Sequence, residues 1–118
     1  MTAIGIRDEQ ALNNATVVVG TFDSPTYNND GRAIWSLVVR QGGGGVLTMS
    51  VMVSTDGINF VQAGPALAAV TIGTAQRSVY AVGSAQGPLV EPYIKVRAVV
   101  TGSSATGVFA DLLGLSTN

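Results

Sequence analysis

The side chains in this sequence able to do chemistry are seven carboxylates, six lysine or arginine cations and three tyrosines; histidine and cysteine are both absent. The commonest general base, the usual zinc ligands and the thiol nucleophile are therefore missing. Paired carboxylates remain, and two of them flanking a glycosidic bond suffice to hydrolyse it. Their contexts argue against such a pair. Asp30 and Asp56 stand in the turn sequences "NNDG" and "TDG", Glu91 precedes Pro92, and only Asp111 lies within a strand-like run. Trp35, the single tryptophan, is too little aromatic surface for a strong sugar-stacking site. We read a protein without catalysis and without a cofactor.

Two further stretches resemble ligand sites and have simpler readings. "YNNDGR", Tyr27 to Arg32, offers oxygen ligands suited to calcium, yet Asn, Asp and Gly are also what a turn requires, so no metal is assigned. "QGGGGV", Gln41 to Val46, has the glycines of a phosphate cradle but lacks the Lys-Ser/Thr pair, and it leads into a strand rather than a helix N-terminus. A flexible hairpin tip is the expectation there.

The elements that must position these residues are strands. Runs rich in β-branched residues ("NATVVVGTF", "GRAIWSLVVRQ", "GVLTMSVMVST", "INFVQAG", "ALAAVTI", "QRSVYAVG", "EPYIKVRAVVTG" and "TGVFADLLG") are separated by short Gly, Pro, Asn, Asp and Ser clusters. The count predicts an all-β fold: a β-sandwich or jelly roll of about eight mostly antiparallel strands. With 118 residues there is room for one such domain, placed at 15–118. Residues 1–14 fit no strand well; with a weak helical pattern in "IRDEQALNNA", they are expected to form an N-terminal arm or short helix.

Composition bounds the partners. Charged residues make up 11% of the chain, where about 25% is usual, and mean hydropathy is +0.39. A net charge of −1 builds in no attraction to nucleic acid. No apolar run approaches the length of a membrane span, and the N-terminus lacks the pattern of a signal peptide, so a soluble, unsecreted chain is expected. So few charges point to an exterior partly covered by another protein.

Alternation along the strands divides core from exterior. Ala33, Trp35, Leu37 and Val39 form one apolar face, as do Ile94, Val96, Ala98 and Val100. A two-residue turn at Asp56-Gly57 would pair Val53 with Phe60 and Met52 with Val61. Leu47, Met49, Val51 and Val53 then join Ile58 and Phe60 on the core side, while Met52 and Val61 form an apolar island outside. A longer loop would turn that pairing over. The outer sides carry the candidate partner contacts: Ile34, Arg40, Met52, Val61, Tyr93, Lys95 and Arg97, together with Ile4, Ile6 and Arg7 of the arm.

The order of these features resembles that of small all-β structural proteins encoded among the virion genes of tailed bacteriophages. In those proteins a layout of strand, "S-x-DG-x-x-aromatic", "YxRVRxxVxG" and final strand recurs. The matching residues are Ser54, Asp56, Gly57 and Phe60, then Tyr93, Lys95, Val96, Arg97, Val100 and Gly102, and the likeness spans about Gly31 to Leu113. Phe60 stands where that pattern often has Trp, and Lys95 where it often has Arg. The resemblance implies a capsid decoration, or cement, protein that sits on the outside of the virion, binds the major capsid protein and forms a homo-oligomer, commonly a homotrimer. The "SxDGxxF" hairpin also resembles hairpins in galactose-binding-like and fibronectin-like domains. A tail- or fibre-associated glycan or cell-surface binder using Asp30, Asn59 and Tyr93 is thus the alternative, followed by another minor virion structural role.

Overall fold

A computed structural model describes residues 5–28, 34–63, 67, 70, 72–73, 76–80 and 91–116, with 5–9, 34, 76–80 and 115–116 described by backbone path alone. The fold is all-β, as its alternating apolar pattern requires. The strands are β1 (Gly5–Val17), β2 (Gly20–Asp23), β3 (Tyr27–Asn28), β4 (Ile34–Arg40), β5 (Gly43–Ser54), β6 (Val61–Gln62), β7 (Gln76–Tyr80) and β8 (Tyr93–Ser116).

The 24-residue β8 organises them. Along one edge run β1, β2 and β3 in turn, antiparallel, from Gly5 opposite Ser116 to Asn28 opposite Tyr93. Along the other edge run β4 and β5, from Ile34 opposite Leu115 to Ser54 opposite Tyr93. The segment containing β6 and β7 follows the far side of β5 and β4, and isolated contacts at Leu67, Val70 and Gly73 continue it between the two strands. Four long ribbons thus lie side by side, and the sheet folds across its middle to bring its two halves face to face.

The enclosed core forms a single cluster. Trp35, Leu37 and Val39 of β4, Leu47, Met49, Val51 and Val53 of β5, and residues from both halves of β8 (Ile94, Val96, Ala98 and Val100; Val108, Ala110 and Leu112) belong to it. Alternate positions point inward along a strand, which is why the sequence pattern identifies these residues. Ala33 lies outside the described residues.

Three expectations require correction. Residues 5–17 form neither a helix nor a detached arm. They are a strand paired to β8, with Leu12 and Val17 in the core. The "TGSSATG" stretch does not separate two strands, because β8 runs through it. Between Val100 and Ala105 it carries extra residues relative to both neighbours, which turn the corner around Gly102 at a φ of 85°.

The glycine run is likewise no flexible tip. A Cβ on Gly45 would stand 1.9 Å from the Ser103 carbonyl oxygen, and one on Gly44 would stand 2.0 Å from that of Ser104. The glycines are there because two backbones cross the fold with no room for a side chain. The buried Gln41 braces the seam by donating from Nε2 to the Gly43 and Gly45 carbonyls, at 2.9 and 2.8 Å.

The seam makes a graded prediction. Gly45→Ala should cost about 3 kcal/mol or more, since backbone must move. Gly43→Ala, where a Cβ meets only the Thr106 hydroxyl at 3.4 Å, should shift stability by less than about 1 kcal/mol. Urea unfolding of both variants measures this, and equal effects would contradict the close crossing.

Candidate interaction surfaces

The hairpin after β5 departs from the expected two-residue turn, and its own side chains explain the change. Ser54 Oγ accepts from the Asp56 and Gly57 amides at 3.2 and 2.9 Å and donates to Asp56 Oδ1 at 2.8 Å. That same oxygen accepts from the Ile58 and Asn59 amides, each at 2.9 Å, while Oδ2 takes the Asn59 side-chain amide at 3.0 Å. The result is a loop closed on a carboxylate, and the register becomes Met52 opposite Gln62 and Val53 opposite Val61. Ile58 is consequently 81% exposed rather than in the core. The hydrogen bonds hold the Asp56 carboxyl far below its ordinary range, those from the Asn59 and Ile58 amides contributing most.

The loop lies over the outer face of the β5–β8 pair. The Tyr93 ring is 3.6 Å from where a Gly57 Cβ would stand, and the Phe60 ring centroid is 4.1 Å from the Lys95 ammonium. Met52, opposite Lys95, is buried, which corrects its assignment as an outer contact.

Lys95 and Arg97 converge on Asp23, which the sequence reading passed over. Arg97 binds both carboxylate oxygens, through Nε at 2.7 Å and Nη2 at 3.0 Å, and Lys95 Nζ reaches Oδ2 at 3.2 Å. Asp23 sits directly opposite Arg97, so this bidentate pair also ties the edge strand β2 to β8. It lowers the Asp23 pKa, the Arg97 hydrogen bond being the largest cause, and raises that of Arg97. A cation alternating with Tyr at 93, 95 and 97 marks an outer strand face in sequence, but only the register brings Asp23 beside it.

The remaining candidates are spread over the molecule. Arg40 is exposed on the outer face of the other half, with its guanidinium 4.3 Å from the Phe109 ring centroid, beside Val38 and Asp111. Val61 is exposed on the short edge strand β6. By register, Ile6 and Ile34 both lie opposite Leu115, and Arg7 lies opposite Gly114. Ile4 and Asp30 fall outside the described residues. The structure therefore brings Tyr93, Lys95 and Arg97 together and places Arg40 and the β1 residues elsewhere.

A third surface lies at the corner. A groove of about 440 Å³ runs beside the glycine seam, lined by Gly44, Gly45, Val46, Val70, Ile72 and the stretch Thr101 to Ser103. Among the described residues, no cluster of three His, Cys, Asp or Glu suited to a metal is present.

Among solved structures, the chain resembles the SPBc2 prophage-derived protein YomS, with a TM-score of 0.66 at 9% identity over 98% of this chain and 97% of that one. It also resembles part of a chain in the structure of infectious bursal disease virus, Gx strain, with a TM-score of 0.52 at 13% identity; the match covers 97% of this chain and 32% of that one. At these identities the likeness is one of fold. No protein-family model and no curated protein sequence matches the chain.

The loop and the ion cluster carry a pH dependence. Asp56 and Asp23 both titrate lower in the folded chain than their ordinary 3.8. The stability they contribute is therefore complete above that value and is lost as pH falls toward the folded values. Thermal melts should show a falling midpoint below about pH 4, and Asp56→Ala should lower the midpoint at neutral pH and flatten the acid limb. An acid limb unchanged in that variant would remove Asp56 from this account.

Proposed function

We propose that this protein is a structural component of a bacteriophage virion, acting as a decoration protein that binds the major capsid protein on the outer shell as a homo-oligomer. The observation that carries the reading is the match of fold to a prophage-derived protein along nearly the whole of both chains. A second chain of viral origin contains the same fold as part of a larger whole.

The residues support a scaffold without catalysis. The carboxylates placed by their contacts serve structure: Asp56 closes a loop and Asp23 neutralises two cations. Decoration proteins act by spanning neighbouring shell subunits, so their contacts add binding free energy only in the assembled particle, and many modest contacts act together. A rigid folded sheet with several separate faces suits that task. Tyr93, Lys95 and Arg97 present one face and Arg40 with Phe109 another. The N-terminal segment cannot act as a free arm over the length that β1 occupies, so the contact role passes to these faces. The glycan alternative would use this same face, where Asn59 is bonded to Asp56 and the Tyr93 ring lies against Gly57.

Mass spectrometry of purified particles from a phage carrying this gene tests the proposal. The chain should be present in constant ratio to the major capsid protein, and particles lacking it should open at lower temperature and recover when the purified protein is added back. Absence from particles overturns the virion reading; presence only at the low copy number of a tail component overturns the decoration reading.

A further inference from the structure

An aspartate followed by glycine is prone to rearrange without an enzyme, because glycine leaves the next amide nitrogen unshielded by a side chain. The sequence holds two such pairs, Asp30-Gly31 and Asp56-Gly57. In the hairpin after β5, Asp56 is exposed and Gly57, at a φ of 78°, is half-buried, so burial does not keep water from the second pair. The reaction would begin with the Gly57 nitrogen bonding to Asp56 Cγ. The amide proton leaves with the carboxyl OH as water, which closes a five-membered succinimide. Water then opens the ring at either carbonyl and yields aspartate again, or isoaspartate with the main chain running through Cβ and Cγ. One water is lost and one regained, so the mass is unchanged.

One hydroxyl engages both reacting groups. The Gly57 N–H donates to Ser54 Oγ at 2.9 Å, and that hydroxyl donates to Asp56 Oδ1 at 2.8 Å. The Ile58 and Asn59 amides also donate to Oδ1, and the Asn59 side chain donates to Oδ2. Ring closure needs a protonated carboxyl that turns its carbon toward the Gly57 nitrogen. These donors favour the ionised form and fix the rotation of the carboxylate, while Ser54 holds the proton that the nitrogen must give up.

We propose that Asp56-Gly57 is a latent isoaspartate site, kept unreacted in the folded chain by Ser54 and Asn59 and released to rearrange when the loop opens. Isoaspartate lengthens the loop by one main-chain carbon and leaves the carboxylate on Cα, away from the donors that close the turn. Phe60, whose ring centroid is 4.1 Å from the Lys95 ammonium, then loses the turn that sets its position. Opening of this one hairpin thus becomes a covalent change in the outer face of β5 and β8. The inference does not depend on what the protein binds.

The test is to hold the full natural chain, Ser54→Ala, Asn59→Ala and Val108→Ala at neutral pH and physiological temperature, both folded and in urea, and to follow isoaspartate at residue 56 by peptide mapping with mass spectrometry. In urea all four should rearrange at one rate. Folded, the natural chain should be slower than in urea by at least about tenfold, and Ser54→Ala should be faster than the folded natural chain by about tenfold. Asn59→Ala, which removes an exposed side chain, should be several times faster. Val108→Ala, which weakens the core of the other half, should match the natural chain. If Ser54→Ala fails to fold by circular dichroism, Asn59→Ala decides alone. A folded natural chain as reactive as the unfolded one overturns the proposal, as do loop variants no faster than it or a Val108→Ala chain equally accelerated, which would make global unfolding the route. Slower rearrangement in Ser54→Ala also overturns it, since the hydroxyl would then relay the proton from Gly57 to Asp56 rather than hold it.

Discussion

Strands that run side by side through a sharp fold must let their backbones cross at close range, and in this protein the crossing is between Gly44–Gly45 and Ser103–Ser104. A single Cβ at either glycine would overlap a carbonyl oxygen of β8. Because the backbones do approach, β8 passes from one half of the sheet to the other without losing the strand beside it, and the ribbons at its edges follow. The two halves then close on one core running from Trp35 and Leu112 to Met49 and Val96. Burial of that core is the main favourable term for folding, and the seam is the geometric condition for it.

The same architecture distributes the surface chemistry. The described residues at the corner carry no charge, while Asp23, Lys95 and Arg97 lie on the outer face of one half and Arg40 and Asp111 on that of the other. Lys95 and Arg97 are drawn onto Asp23, so that face presents a partly neutralised cluster rather than a free basic strip. Among the described residues, Asp23 and Arg97 thereby put charge to use in tying β2 to β8.

Much of the fold is legible in the sequence wherever side-chain period alone decides the outcome. Trp35, Leu37 and Val39, like Ile94, Val96, Ala98 and Val100, are apolar at every alternate position, beside intervening positions that mix polar residues with Val38 and Val99, and they are buried as that alternation implies. What escapes is anything decided by pairing across the chain. The "TGSSATG" residues have turn composition, yet partners on both edges hold them in one strand. The hairpin register slips by one because Ser54 and Asp56 together close a larger loop than Asp-Gly alone, and Ile58 and Met52 exchange their expected surroundings as a result. Over residues 10–17 the strand lacks a regular alternation because irregular pairing between Gln10 and Val17 breaks the period. Asp23 gives no signal in "GTFDSP", since its role comes from Arg97, seventy-four residues away.

Because β8 is one strand through the fold, the two halves of the sheet should form a single cooperative unit. Native-state hydrogen exchange of the backbone amides tests it most directly. Val96 and Leu112, on either side of the corner, should exchange through the same global opening and respond equally to added denaturant. Independent opening of the two halves, with one protected while the other exchanges, would contradict it.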